Sequence, residues 1–288
     1  RLAYELARIS DLSIIGFEPD PQSADTARGL LAAAGLYGKR ITIDQGDPSQ
    51  LPYADYFADL VVSETMMATG QSFGTPEEIR RVTKPCGGVI CLPLDESRRA
   101  WLPAQEEFAL REGGGQWYML ARGSLPDAGS WSHQYADPGN TACSDDQRVR
   151  NDLSVLWYGE PGPSEMVERH ARAAAPLAME GRLFVQGEEK LMAYDAYNGM
   201  LIWKREIPGA VRVRVDSDMS NLALAQSGLF VATGNQCLRL DPATGETMRT
   251  YPLPDSADGK PRRWGYLAVS GGLLFGTCSV PLPEDYGA

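Results

Sequence analysis

Histidine is almost missing from this chain: His133 and His170 are the only two in 288 residues. A histidine-rich metal centre is thereby excluded. The five cysteines (Cys86, Cys91, Cys143, Cys237 and Cys278) contain no Cys-x-x-Cys pair, and their odd number makes no disulfide framework. Cys86 and Cys91 read instead as buried or half-buried free thiols. Basic residues are also in deficit, with 27 Lys and Arg against 38 Asp and Glu, a net charge of −11. Nucleic-acid binding needs clustered cations to neutralise phosphates, so that class of partner is not expected. Long apolar runs are absent too. The stretches at 222–225 and 273–275 are far too short to form a membrane-spanning helix.

What remains is a globular composition, 43% apolar and 23% charged, long enough for two domains with separate cores. The character of the sequence changes near residue 122. Before it, helical periodicity alternates with short β-branched runs, the pattern of β/α units and a mainly parallel sheet. Leu2, Leu6 and Ile9 fall at helical spacing. Residues 13–17 (SIIGF), 40–44 (RITID), 58–63 (ADLVVS) and 89–92 (VICL) read as strands. Residues 25–36 form a helix ended by Gly35 and Gly38, and 76–82 (PEEIRRV) a helix opening on proline and two acids. Residues 117–121 (WYMLA) make a late strand after EGGGQ at 112–116. The glycines there read as a tight turn, because no strand-loop-helix context surrounds them. Residues 123–150, rich in Ser, Gly, Asp and Asn, form a linking segment. From 151 to 288 the pattern is all-β.

This last region repeats. Leu183-Phe-Val is echoed by Leu229-Phe-Val, and 229 − 183 = 46. Asp195 and Asp241, Gly199 and Gly245, and Trp157 and Trp203 keep the same offset. A period of this length suits one four-stranded propeller blade. A third copy begins at Gly272-Leu-Leu-Phe275, its spacing shorter by about two residues. In each turn the Asp accepts backbone N–H bonds and the Gly supplies a positive φ.

The pattern Ala193-x-Asp195-x-x-Asn198-Gly199-x-x-x-Trp203 resembles the repeat of pyrroloquinoline-quinone-dependent dehydrogenases and related propellers. The second copy departs from it, with Arg239 for the Ala and Arg249 for the Trp. Residues 130–144 (SWSHQYADPGNTACS) are similar to the stretch by which such proteins enter their first blade. The resemblance implies a Trp packed between neighbouring blades. It also points to the bacterial cell envelope. No residue announces a quinone or calcium site, since scaffold propellers of the outer-membrane assembly type share the repeat.

The first region resembles class I S-adenosylmethionine methyltransferases from residues 14–20 (IIGFEPD) onward. By that resemblance Glu18, closing the family's second strand, accepts from both ribose hydroxyls of S-adenosylmethionine, a task suited to the two oxygens of a carboxylate. The run Gln45-Gly46-Asp47, Leu51-Pro52-Tyr53, Phe57-Ala58-Asp59-Leu60-Val61-Val62 is similar to the family's Gly-Asp, Leu-Pro-Phe and Phe-Asp-Leu-Val landmarks. It implies that Asp47 accepts from the adenine amino group and that the backbone at Pro48 meets the ring edge. Taken alone, Asp47 equally fits a turn cap and Glu18 a solvated strand-end acid. Glu64 stands where the family carries Asn or Asp near the reacting methyl. Lys84-Pro85-Cys86-Gly87-Gly88 matches the family's Lys-Pro-Gly-Gly turn with a cysteine inserted. The family's first strand and Gly-x-Gly-x-Gly loop precede a helix like that at Leu2. The resemblance therefore implies a truncated methyltransferase fold, and two or three blades imply a partial propeller, together a fragment of a longer multidomain protein.

Three functions stay open: a methyltransferase coupled to a propeller, a non-catalytic propeller scaffold, and a quinone-dependent oxidoreductase. The methyl acceptor is unassigned. The propeller surface is expected to take a protein or a small molecule.

Overall fold

The computed structural model describes residues 1–93, 109–112, 116–150, 153–166, 173–210 and 220–280. Two compact units divide the chain, Arg1–Gly123 and Ser124–Ala288.

In the first unit, α1 (Leu2–Ile9), β1 (Ile14–Glu18), α2 (Pro21–Ala33) and β2 (Ile41–Gln45) form one layer pair. β1 and β2 run parallel, from Ile14↔Ile41 to Glu18↔Gln45. Ala24, Leu31, Ile41 and Ile43 make its core, with Ala3, Ala7 and Ile14 packed against them. Small side chains on both helices let them lie close to the strands. The helix expected from residue 25 starts four residues earlier. Asp20 caps it by accepting from Ser23 N at 2.8 Å, and Pro21 takes the first turn, where no N–H is needed.

β3 (Leu60–Val62), α3 (Glu64–Thr69), α4 (Pro76–Val82), β4 (Val89–Pro93), β5 (Ala109–Glu112) and β6 (Gln116–Ala121) complete the unit. Its second sheet runs β3-β4-β6-β5, parallel only between β3 and β4. Met66, Ile79, Ile90, Leu92, Tyr118 and Leu120 are its core. A mainly parallel sheet was expected above; the described residues form two sheets, one parallel and one mixed. A crossover through helices gives parallel pairing, as between β3 and β4 across α3 and α4, whereas β5 and β6 pair antiparallel as a hairpin. Gly113–Gly115 lie outside the described residues, but Glu112 and Gln116 on either side are paired across the hairpin.

Among the described residues the second unit holds two four-stranded antiparallel sheets and a two-stranded one. The first blade is β7 (Leu177–Met179), β8 (Arg182–Gly187), β9 (Lys190–Asp195) and β10 (Leu201–Glu206). The second is β11 (Leu222–Ala225), β12 (Gly228–Thr233), β13 (Gln236–Leu240) and β14 (Thr247–Pro252). Blade one carried forward by 46 falls on blade two, β8 onto β12 and β10 onto β14 (228 − 182 = 247 − 201 = 46). β15 (Arg263–Ser270) and β16 (Leu273–Ser279) begin a third. There the hairpin closes on Ser270↔Leu273, as Ala225↔Gly228 does in blade two, so the spacing is 273 − 228 = 45, shorter by one residue rather than two.

Strand alternation buries blade two on both faces. Leu222, Leu224, Leu229 and Val231 pack with Leu177, Phe184 and Leu191 of blade one. Their sequence neighbours Ala223, Phe230 and Ala232 pack with Leu267 and Val269 of the third.

The turns are built as the repeat demands. Asp195 Oδ1 accepts from Tyr197 N at 2.9 Å and Asn198 N at 3.2 Å, and Asp241 Oδ1 from Ala243 N at 2.7 Å. Gly199 and Gly245 sit at φ 73° and 74°.

Candidate functional site

Glu18, Asp47 and Glu64 all fall at or just beyond the carboxyl ends of parallel strands, the edge at which open α/β sheets bind ligands. Glu18 is the last residue of β1 and is paired with Gln45, the last of β2. Its Oε1 accepts from Asp20 N at 3.1 Å, and among the described residues no donor reaches Oε2. The same carboxylate therefore bends the chain into α2 and keeps an open acceptor.

Asp47 lies two residues past β2. Its Oδ1 accepts from Ser49 N at 2.8 Å and Ser49 Oγ at 2.7 Å, and these two donors hold its carboxyl below the usual range. One oxygen thus works as a turn cap; Oδ2 has no donor among the described residues. The Pro48 backbone passes close to Gly74, where a Cβ would stand 2.6 Å from Pro48 O. Gly74 adopts φ 68°, so glycine answers both the close approach and the backbone.

Glu64 opens α3, whose cap is Ser63 accepting from Met66 N at 3.2 Å. The Glu64 Oε2 accepts from Leu2 N at 3.0 Å and from the Arg1 nitrogen at 3.1 Å. An acid is favoured there by the unpaired N–H groups of the first turn of α1. Glu64 thereby ties α3 to α1 across the unit.

A clamp that the sequence reading overlooked holds the loop between Asp47 and β3. Arg81, on α4, donates to Glu78 Oε2 (2.8 Å), Glu78 Oε1 (2.7 Å), Tyr53 O (2.7 Å), Asp55 Oδ1 (2.8 Å) and Leu51 O (3.0 Å). All five guanidinium donors are engaged. Glu78 also accepts from Leu51 N at 2.6 Å, and the Arg81 hydrogen bonds hold its carboxyl below the usual range. The Glu78-x-x-Arg81 spacing on one helix face was the available signal. Behind the loop, Tyr53 stacks on Phe57 with centroids 4.9 Å apart and meets Phe17 edge-on at 6.2 Å. Its hydroxyl donates to Asp44 Oδ2 at 2.9 Å, and burial with this bond raises the phenol well above its usual value.

Among the described residues no group of three His, Cys, Asp or Glu could hold a metal ion. No described helix is long and apolar enough to cross a membrane.

Residues 1–91 match the family model of the methyltransferase domain. In structure the chain is similar to a putative S-adenosyl-L-methionine-dependent methyltransferase of Methanococcus maripaludis, at 21% identity and TM-score 0.36 over 43% of this chain and 73% of that one. It is similar to the quinohemoprotein alcohol dehydrogenase of Comamonas testosteroni, at 17% identity and TM-score 0.37 over 52% of this chain and 23% of that one. It is also similar to BamB of Moraxella catarrhalis, at 19% identity and TM-score 0.20 over 32% and 27%. The chain spans about a quarter of the length of these two propeller proteins. No curated protein matches it. The chain thus joins a region that matches the methyltransferase-domain model to repeated four-stranded antiparallel sheets.

Proposed function

We propose that the first unit belongs to an S-adenosylmethionine-dependent methyltransferase. The observation that carries this reading is Glu18, a strand-end carboxylate with an open oxygen beside the end of the neighbouring parallel strand. That geometry suits the two adjacent hydroxyls of a ribose. Asp47 offers its second oxygen to the adenine amino group, and Pro48, packed close against Gly74, offers backbone to the ring edge. When bound, the cofactor supplies a methyl group made electrophilic by its sulfonium. The residues of this chain bind and orient it, and orientation of donor against acceptor is the main contribution to such a transfer. Glu64, engaged with α1, serves as a brace in this reading and not as a base.

The propeller unit is read as a binding or scaffold module. Its repeated Asp, Gly and Trp residues are engaged in turns and in packing between blades.

Calorimetric titration of the full-length protein with S-adenosylmethionine tests the first reading. Glu18→Gln should weaken binding about 10- to 100-fold, the scale of losing hydrogen bonds to a charged acceptor. Asp47→Asn should cost less, because one of its oxygens already caps a turn. Affinity unchanged by Glu18→Gln would return that residue to a solvated strand-end acid.

A further inference from the structure

Three consecutive residues, Trp131, Ser132 and His133, cross the open edges of three successive blades. Trp131 O accepts from Ala178 N at 2.8 Å, Ser132 O from Leu224 N at 2.8 Å, and His133 Nε2 from Val269 N at 3.0 Å. The three donors are equivalent. Ala178 is paired with Leu183, Leu224 with Leu229 and Val269 with Leu274, the same ladder position in β7, β11 and β15. These strands end their sheets, so the N–H groups would otherwise be unpaired inside the unit. The strap supplies one acceptor per blade. Trp131 is tied on both sides, since its own N–H donates to Ala178 O at 2.8 Å.

The third acceptor differs in kind. The first two are carbonyl oxygens, which keep their lone pairs at any pH. The third is a ring nitrogen. For Nε2 to accept, the proton of the neutral ring must lie on Nδ1, which is 2.7 Å from Ser132 Oγ. Ser132 Oγ lies 3.2 Å from Ala136 O and can pass the hydrogen-bond chain on. A second proton on the ring would occupy Nε2 and set N–H against N–H. His133 is only 1% exposed, so no water is at hand to take up the released group.

We propose that His133 is an acid-sensitive latch: protonation of Nε2 releases Val269 N–H, and with it the inner strand of the third blade, from the strap. Burial lowers the affinity of the ring for a proton, and the carboxylate of Asp137 on the same loop opposes this only partly. Of the ionisable groups on the elements packed here, Cys237 and Arg239 lie on β13, Arg263 and Tyr266 on β15 itself, and Cys278 on β16. The Cys237 thiol is pushed up to about 12 by burial, and Tyr266 hydroxyl lies 3.5 Å from Asn140 Nδ2 and from Pro138 O. A lowered folded value sets the direction. The latch is fully closed above the ordinary imidazole value near 6.5, and it weakens as pH falls from there toward the folded value, because the released ring takes a proton that the bound ring refuses.

Amide hydrogen exchange on the full chain at about pH 7.5 and about pH 5 tests the latch, each rate corrected for its intrinsic pH dependence. Protection of the Val269 amide should fall about tenfold or more at the acid pH, the factor for each unit of displaced pKa. The amides of Ala178 and Leu224, held by carbonyls at the same ladder position, should stay level. His133→Gln, whose carbonyl can accept but not titrate, should remove the acid response, whereas His170→Gln should leave it. Equal behaviour of the three amides in the unaltered protein overturns the proposal, as does an acid response that survives His133→Gln. If that variant fails to fold, the comparison of the three amides decides alone.

Discussion

Trp203 lies flat enough over Gly245 that a Cβ on the glycine would stand 2.8 Å from the indole ring. The indole N–H donates to Pro242 O at 3.0 Å in the same turn. One period earlier Trp157 does the same to the turn of blade one, donating to Ala196 O at 3.0 Å and covering Gly199. The outer edge of each turn is thus closed by a tryptophan from the segment before it. At these positions glycine is required twice, by its positive φ and by the ring above it. Gly245→Ala should cost about 1–3 kcal/mol through overpacking and backbone strain. Trp203→Ala should cost about 2–4 kcal/mol, since the ring is only partly buried. Urea denaturation followed by circular dichroism measures both. A loss below about 0.5 kcal/mol for either would show that the stack contributes no packing.

Asp195 and Asp241 hold equivalent turns with unequal partners. Asp195 is 5% exposed and accepts from Tyr197 N and Asn198 N among others, whereas Asp241 is half-buried and accepts from Ala243 N. Asp195→Ala should therefore destabilise by about 2–3 kcal/mol and Asp241→Ala by about 1 kcal/mol. Equal losses in chemical denaturation would mean that the turn, and not the burial, sets the cost.

Cys86 holds φ 55° before Gly87 at φ 110°, in the turn that leads into β4. A side chain there is strained, and the turn is fixed by Cys86 N donating to Gly123 O at 2.9 Å and Gly87 N to Arg122 O at 2.8 Å. Cys86→Gly should stabilise the first unit by about 1 kcal/mol, read as a higher urea midpoint. A lower midpoint would show that the thiol makes a contact worth more than the strain.

Glu78 makes the first unit sensitive to acid. Its folded pKa lies below the ordinary 4.5, so its contribution is fully present above that value and is lost as pH falls through the folded one. Glu78→Gln should flatten the fall in thermal stability below about pH 4.5, while lowering stability at neutral pH because Arg81 loses one of its two charged partners. A pH series of melting temperatures distinguishes the two curves; parallel curves would exclude Glu78 as a source of the acid response.

Local chemistry was legible in the chain itself. The 46-residue period, the Asp and Gly turns, the helix at Pro76–Val82 and the strands before Glu18 and Asp47 follow from residue spacing and turn propensity, which act over a few neighbours, whereas Glu18 and Asp47 themselves were marked out only by the family resemblance. What Glu64 and Arg81 hold was decided elsewhere. Glu64 binds α1 from 62 residues away and Arg81 gathers a loop 26 to 30 residues back, and neither distance leaves a pattern in the sequence. The division of the first unit into two sheets is likewise a matter of which edges pair. The strap is the clearest case. Trp131, Ser132 and His133 are adjacent in the chain, yet their partners lie in three blades, the furthest 136 residues on. The repeat created three equivalent N–H groups on open edges, and only tertiary packing brought one short segment within reach of all three, because a buried donor must find an acceptor wherever the fold provides one.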